Sequence, residues 1–247
     1  MAIQEFLERT ALFDGSARGV AAQLAGAAVV HSYARGATIW HVGDFPEALL
    51  IIKSGLVKLT RPAPRGRTSL CWLFGAPTLL GELVLVKGVP YQNAAIAATA
   101  SVSVVSIPRQ LVLDCARREP ELALNLFRGF EQKFTALHDK IDVLSAGSVE
   151  ARLAALLVKL YVQFGDELGD GTLRVGVALS RQELADMVST SFETAIRVLT
   201  RWEREGIVAT DVDGFTIGSL ARLQELTAIF QLGGRGVSEG ALARALQ

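Results

Sequence analysis

The chain has 247 residues, half of them apolar, which is enough material for two hydrophobic cores. Its 25 Lys and Arg balance 25 Asp and Glu, so no global field draws in a polyanion. With only Cys71 and Cys115, a multi-disulfide framework and a four-cysteine iron–sulfur cluster within one chain are excluded.

The opening MAIQEFLERT reads as helix around Ile3–Leu12 and lacks the basic and apolar regions of a secretory leader. Small-residue helical stretches are expected up to His31. Strands then follow at TIW (38–40), ALLIIK (48–53), LVKLT (56–60), TSLCWLF (68–74), AAIAA (94–98) and SVSVVSI (101–107), with glycines at 36, 43, 55, 66, 75, 81 and 88 between and beside them. Short strands with evenly spaced turns predict an all-β barrel, roll or sandwich over residues 1–118.

A long helix is expected over 119–146, with Pro120 at a first helical position. Within it Ala123, Phe127, Phe130, Phe134, Leu137, Ile141 and Leu144 recur at alternating spacings of four and three. That is the seam of a coiled coil. Such a face would also serve to cover the β-domain, but three phenylalanines in one narrow line suit a partner helix better. AGS at 146–148 interrupts the apolar pattern and reads as a hinge.

Residues 147–247 form a third region. VEARLAALLVKLYVQFG reads as helix, and its apolar run is too short to span a bilayer; a reducing cytoplasm is the expected compartment, with no membrane contact. After a loop at 165–171, LRVGVAL (173–179) reads as strand. Ser180 stands three residues before Glu183, a capping-box signature. Ser180–Met187, Val188–Ser191 and Glu193–Arg204 then make helix, tight turn, helix, with Leu184, Ala185, Val188, Ala195 and Val198 facing inward. Ser189 holds the turn position where Gly is common. On the outer face Glu193, Arg197, Arg201 and Arg204 line up three or four residues apart. IVATDVDGFTI (207–217) reads as a hairpin turning at Asp213–Gly214. The last twenty residues, with GGRG at 233–236, look like a weak helix and a loose tail. From Val149 onward there are ten Lys and Arg against thirteen Asp and Glu. Any DNA contact there must rest on a few placed arginines.

RQELADMVSTSFETAIRVLTRWEREGIV (181–208) resembles the DNA-binding signature of the CRP/FNR family of bacterial transcription regulators. GATIWHVGDFPEALLIIKSGLVKL (36–59) is similar to the start of that family's β-roll, and GELVLV (81–86), with Gly81, Glu82 and Leu83, to the start of its ligand-binding cassette. The likeness runs over about residues 5–217 in the family's domain order. It implies an α+β protein: a jelly-roll-like N-terminal β-roll sensor, a long dimerisation helix and a C-terminal winged helix-turn-helix. It also implies a homodimer that places each second helix in the major groove of double-stranded DNA, acts through RNA polymerase and performs no enzymatic reaction. Phe127, Phe130, Phe134, Leu137, Ile141 and Leu144 are its candidate dimer interface.

By the same resemblance Glu193 and Arg197 read a TGA-like half-site core. The chemistry fits, because Arg bonds both O6 and N7 of guanine and Glu accepts from cytosine N4. Ser180, Arg181, Ser191 and Thr194 stand where members of the family contact phosphates, and Thr190 and Arg201 complete the candidate DNA-binding set. Phe192 stands where many members carry Arg; its ring suits a thymine methyl or the sugar–phosphate backbone.

In cyclic-nucleotide-binding relatives the cassette runs from a Gly-Glu pair to an Arg-Ser pair. Here matching spacing puts Gln92 and Asn93 at the latter, and Leu137 and His138 at the long-helix positions that carry hydroxyls. A phosphate without its guanidinium loses a charge-assisted contact, so tight cyclic AMP binding is not expected. The effector is left unidentified. No cofactor is expected: the iron–sulfur branch uses a cysteine cluster near the N-terminus, and His31, His41 and His138 are too isolated to favour haem, which stays open. Two alternatives stand beside this reading. One is a cupin-like metalloenzyme, for which His41 and Glu47 lack the H-x-H pair. The other is a ligand-binding module acting through protein contacts.

Overall fold

The computed structural model describes residues 2–16, 18–63 and 67–228. The chain divides into two compact units that part inside one helix, the first ending at Ala136 and the second beginning at Leu137.

The first unit opens with α1 (Ile3–Glu8), a 3₁₀ turn (Ala11–Phe13) and α2 (Arg18–Gly26). Eight strands follow: β1 (Val29–Ala34), β2 (Thr38–Trp40), β3 (Ala48–Ser54), β4 (Leu56–Ala63), β5 (Arg67–Gly75), β6 (Leu79–Leu80), β7 (Ala94–Ala97) and β8 (Ser101–Pro108). A short helix, α3 (Glu82–Lys87), stands between β6 and β7, and α4 (Arg109–Arg118) and α5 (Pro120–Ser145) close the unit and lead out of it. The strands form two antiparallel four-stranded sheets, ordered β1-β8-β3-β6 and β2-β7-β4-β5. Leu49, Ile51, Val105 and Ile107 of the first sheet share a buried core with Phe6, Leu7 and Leu24 of α1 and α2, Val112 and Cys115 of α4, and Leu122 and Leu126 of α5. The alternate residues Ile52, Val102 and Val104 are buried as well. Strand periodicity therefore covers both faces, the arrangement a roll demands. The chain switches sheets at Gly55, where φ is +79° and an added Cβ would lie 2.4 Å from the carbonyl oxygen of Ser101; only glycine fits there.

Unit two begins with the end of α5, then α6 (Val149–Phe164), β9 (Gly165–Glu167), β10 (Leu173–Val175), α7 (Arg181–Met187), α8 (Phe192–Arg204), β11 (Val208–Asp211), β12 (Gly214–Ile217) and α9 (Leu220–Ala228). Ser148 caps α6 by accepting from the Ala151 amide at 3.1 Å, so the AGS segment ends one helix and starts the next. The sheet order is β11-β12-β10-β9. Leu153, Leu157 and Leu160 of α6 are buried, as are Leu184, Ala185 and Val188, Ala195, Leu199 and Trp202, and Phe215 and Ile217 of the wing.

Four expectations need correction. The first helix stops at Glu8, and a separate 3₁₀ turn spans Ala11–Phe13. Residues 29–34 are strand rather than helix up to His31, because VVHSYA pairs along its whole length with β8. The strand at 173–179 ends at Val175. The hairpin turn centres on Val212 and Asp213, since Asp211 pairs directly with Gly214. The loose tail expected over the last twenty residues lies outside the described residues, apart from Ala228 at the end of α9. Among the described residues no helix is long and apolar enough to cross a membrane.

Candidate functional site

The helix-turn-helix is built by its caps. The Ser180 side chain accepts from the Glu183 amide at 3.1 Å, and Glu183 Oε2 accepts from the Ser180 amide at 2.9 Å, a complete capping box. The turn is closed by the Thr190 amide donating to Ala185 O at 3.0 Å, with Ser189 in the left-handed region at φ 51°. Ser191 then caps α8 by accepting from the Thr194 amide at 3.2 Å, and its hydroxyl donates to Thr194 Oγ1 at 3.1 Å. Thus Ser180 and Ser191, expected at phosphates, already serve as caps, and Thr194 supplies the amide that Ser191 caps. Behind the face, Trp202 is fully buried and donates to Glu150 Oε1 at 3.1 Å. From α6, Arg152 donates to Val188 O at 2.8 Å and steadies the turn.

On the outer face, Glu193 lies in the first turn of α8 and is exposed. Its own backbone N–H and the Ser191 hydroxyl hold its carboxyl below the usual carboxylate range, so it is an acceptor at neutral pH. One turn on, Arg197 is exposed, and among the described residues no hydrogen bond or ion pair engages it or Arg204. The other two arginines are occupied. Arg201 pairs with Glu150 and, at 3.8 Å, with Glu205. Arg181 reaches both carboxylate oxygens of Glu203 at 3.3 Å, and Glu203 also accepts from Thr210 at 2.8 Å. Phe192 is 41% exposed at the start of α8.

The first unit holds a cavity of about 320 Å³ between β2, β4, α3, the 87–93 loop and α5. Gly81, Glu82, Gln92 and Asn93 line it as expected, joined by Trp40, Leu59, Lys87, Val89, Tyr91 and Lys133. The Leu83 side chain lies outside the described residues. Trp40 and Tyr91 stack with ring centroids 4.4 Å apart, and Trp40 Nε1 donates to Asn93 O at 2.8 Å, which fixes the loop. Gly81 has φ +73°, and an added Cβ would meet the Tyr91 hydroxyl at 2.8 Å. Glu82 is buried; burial pushes its carboxyl up, while Lys133 draws it down. Lys133 has the mirror situation, lowered by burial and raised by Glu82. Burial, with Glu82 and Asp44 nearby, pushes the Tyr91 hydroxyl up to about 12.

Two family models match this chain: the cyclic nucleotide-binding domain over residues 30–119 and the Crp-like helix-turn-helix domain over residues 151–226. The CRP-like cAMP-activated global transcriptional regulator of Mycobacterium tuberculosis is 29% identical over 221 residues, covering 90% of this chain and 98% of that protein. The chain belongs to the CRP/FNR family of transcription regulators. A cyclic AMP receptor protein of Thermus thermophilus is also 29% identical, over 78% of this chain and 86% of its own length. In fold, the chain matches a CRP-family regulator of the same organism at TM-score 0.68, with 24% identity and coverage of 80% of this chain and 96% of the other. Like the rest of the CRP/FNR family, it is a DNA-binding regulator and not an enzyme.

The CRP/FNR long helix bears the third candidate surface. Phe127, Phe134, Leu137 and Ile141 are 70%, 62%, 59% and 58% exposed, and Phe127 meets Phe130 edge-on at 5.6 Å. Leu144 is also exposed and Phe130 half-buried. Leu137 and His138, proposed for the effector pocket, are exposed and belong to the second compact unit. Sequence reasoning missed Lys133 and the Trp40–Tyr91 stack. A signal for Lys133 was present: Leu122, Leu126, Gly129, Lys133 and Ala136 form a second stripe at spacings of four and three, and a lysine interrupts it. Cys115 packs in the helix-covered core. Among the described residues no group of three or more His, Cys, Asp and Glu is placed to hold a metal.

Proposed function

We propose that this regulator is a cytoplasmic homodimer that reads a palindrome with TGA-like half-sites and acts on RNA polymerase without cyclic AMP or a resident cofactor. The observation that carries the reading is the pair Glu193 and Arg197. They sit one turn apart on an exposed face, one an ionised acceptor and the other a guanidinium without a partner among the described residues. Those are the groups a cytosine amine and a guanine edge require. Dimerisation is supported by the exposed apolar seam of α5, which water disfavours and a second copy would cover. It also answers the neutral net charge, since two copies of a few arginines at fixed spacing grip two half-sites.

Independence from cyclic AMP is supported by the amides of Gln92 and Asn93 in the cavity wall where a phosphate would need a guanidinium. The test is fluorescence anisotropy on a palindromic TGA-containing duplex and a scrambled duplex, at one salt concentration, with and without cyclic AMP. The palindrome is expected to bind on the order of 10³-fold tighter, with no effect of the nucleotide. Equal affinities would refute the DNA reading, and stimulation by cyclic AMP would refute the second half of the proposal.

A further inference from the structure

The cavity holds two buried opposite charges that face each other. Glu82 Oε1 lies 3.6 Å from Lys133 Nζ, with the side chains 3% and 17% exposed. Glu82 Oε2 is buried without a hydrogen-bond partner among the described residues. Lys133 comes from α5, one turn past Gly129, where an added Cβ would lie 2.7 Å from Leu79 Cδ1; the missing side chain lets the helix approach β6. From there the ammonium donates to the carbonyl of Leu79 and sits 4.8 Å from the centre of the Phe74 ring. One side chain thereby joins α5 to β5, β6 and α3.

We propose that Lys133 is a tethered cation that occupies the effector cavity on the protein's own behalf: it neutralises Glu82, closes the cavity to anionic effectors, and holds α5 on the roll without one. This rests on the reading of the cavity as an effector site. An entering phosphate or carboxylate has to take Lys133 from Glu82. That leaves a buried carboxylate without its counter-charge beside a second anion, the most costly state such a site can reach. An uncharged ligand bearing hydroxyls meets neither penalty, and one O–H satisfies the vacant Glu82 oxygen. The admitted class is therefore neutral and hydroxyl-bearing. Lys87 also lines the cavity but is exposed, where water screens its charge.

The test is Glu82→Gln in the full chain, titrated with cyclic AMP by calorimetry. Freed from its partner, Lys133 becomes available, so the variant is expected to bind cyclic AMP about tenfold tighter than wild type. A site in which Glu82 exists to hold the nucleotide would give the opposite. Equal or weaker binding by folded Glu82→Gln overturns the proposal, as does micromolar binding by the wild type. Hydrogen exchange gives a second reading on Lys133→Met/Glu82→Gln, which removes both charges together. Amides over 129–136 are expected to exchange about tenfold faster than wild type, and Lys133→Arg to retain near-wild-type protection. Unchanged exchange in the double variant overturns the tether. Neither readout uses DNA, so failure of the half-site reading is separately visible.

Discussion

The outer face of α8 and the wall of the β-roll cavity both carry charged side chains, and they leave them in opposite states. On α8, Arg197 and Arg204 have no partner among the described residues, and Glu193 is held ionised. In the cavity, Glu82 and Lys133 answer each other. Solvent explains the difference. An exposed charge is stabilised by water and can wait for an external partner, whereas a buried one must be paired from within. Burial thus forbids an unpaired charge in the cavity, whereas exposure permits one on α8, where Arg201 is paired all the same.

The contrast is broken most strongly at Arg197. If Arg197 reads guanine in a dimer as proposed, Arg197→Ala removes one such contact in each half-site, roughly 1–3 kcal/mol apiece, and costs roughly 2–6 kcal/mol of preference for the operator over scrambled DNA. Anisotropy reads the loss, and circular dichroism should show an unchanged fold. A smaller effect is expected at the seam. Phe127→Glu with Phe134→Glu puts charge on the face proposed to meet a second copy, and sedimentation at micromolar concentration should show self-association weakened roughly 100-fold.

Arg201 shares the helix with Arg197 but is already paired with Glu150. Arg201→Ala should leave base preference unchanged in the same assay and lower stability by no more than about 1 kcal/mol, as for an exposed pair. The smallest effect concerns the wing. Hydrogen bonds from Arg174, at 2.7 and 3.0 Å, hold the Asp211 carboxyl at about 2, below its ordinary 3.8. A depressed carboxylate stabilises the fold above its unfolded pKa, and that contribution fades as pH falls through the folded one. A melting series should therefore show a slight loss between pH 4 and pH 2 that Asp211→Asn lacks.

Much of this was legible in the sequence, and for a local reason. The capping box, the turn and both helices of the DNA-binding motif lie in one contiguous run, so each signal supports its neighbour, and Ser180, Glu183 and Ser191 act as their spacing says. Six strands were placed from short β-branched and aromatic runs. Helix was expected up to His31 because the alanines before residues 29–34 are strong helix formers, whereas pairing with β8, far along the chain, makes those residues strand. The occupancy of Arg181 and Arg201 was hidden for the same reason, since Glu203 and Glu150 meet them only in three dimensions. Lys133 was the largest omission: its stripe was visible, but Glu82 as its destination was not.

A dimer that places two reading helices at fixed separation, as proposed, depends on the spacing of its half-sites. The measurement is affinity for two duplexes with identical TGA half-sites, one with centres about one helical turn apart and one with about five further base pairs inserted. Tight binding to the first and loss of preference on the second is the predicted result. Equal binding to both would contradict it.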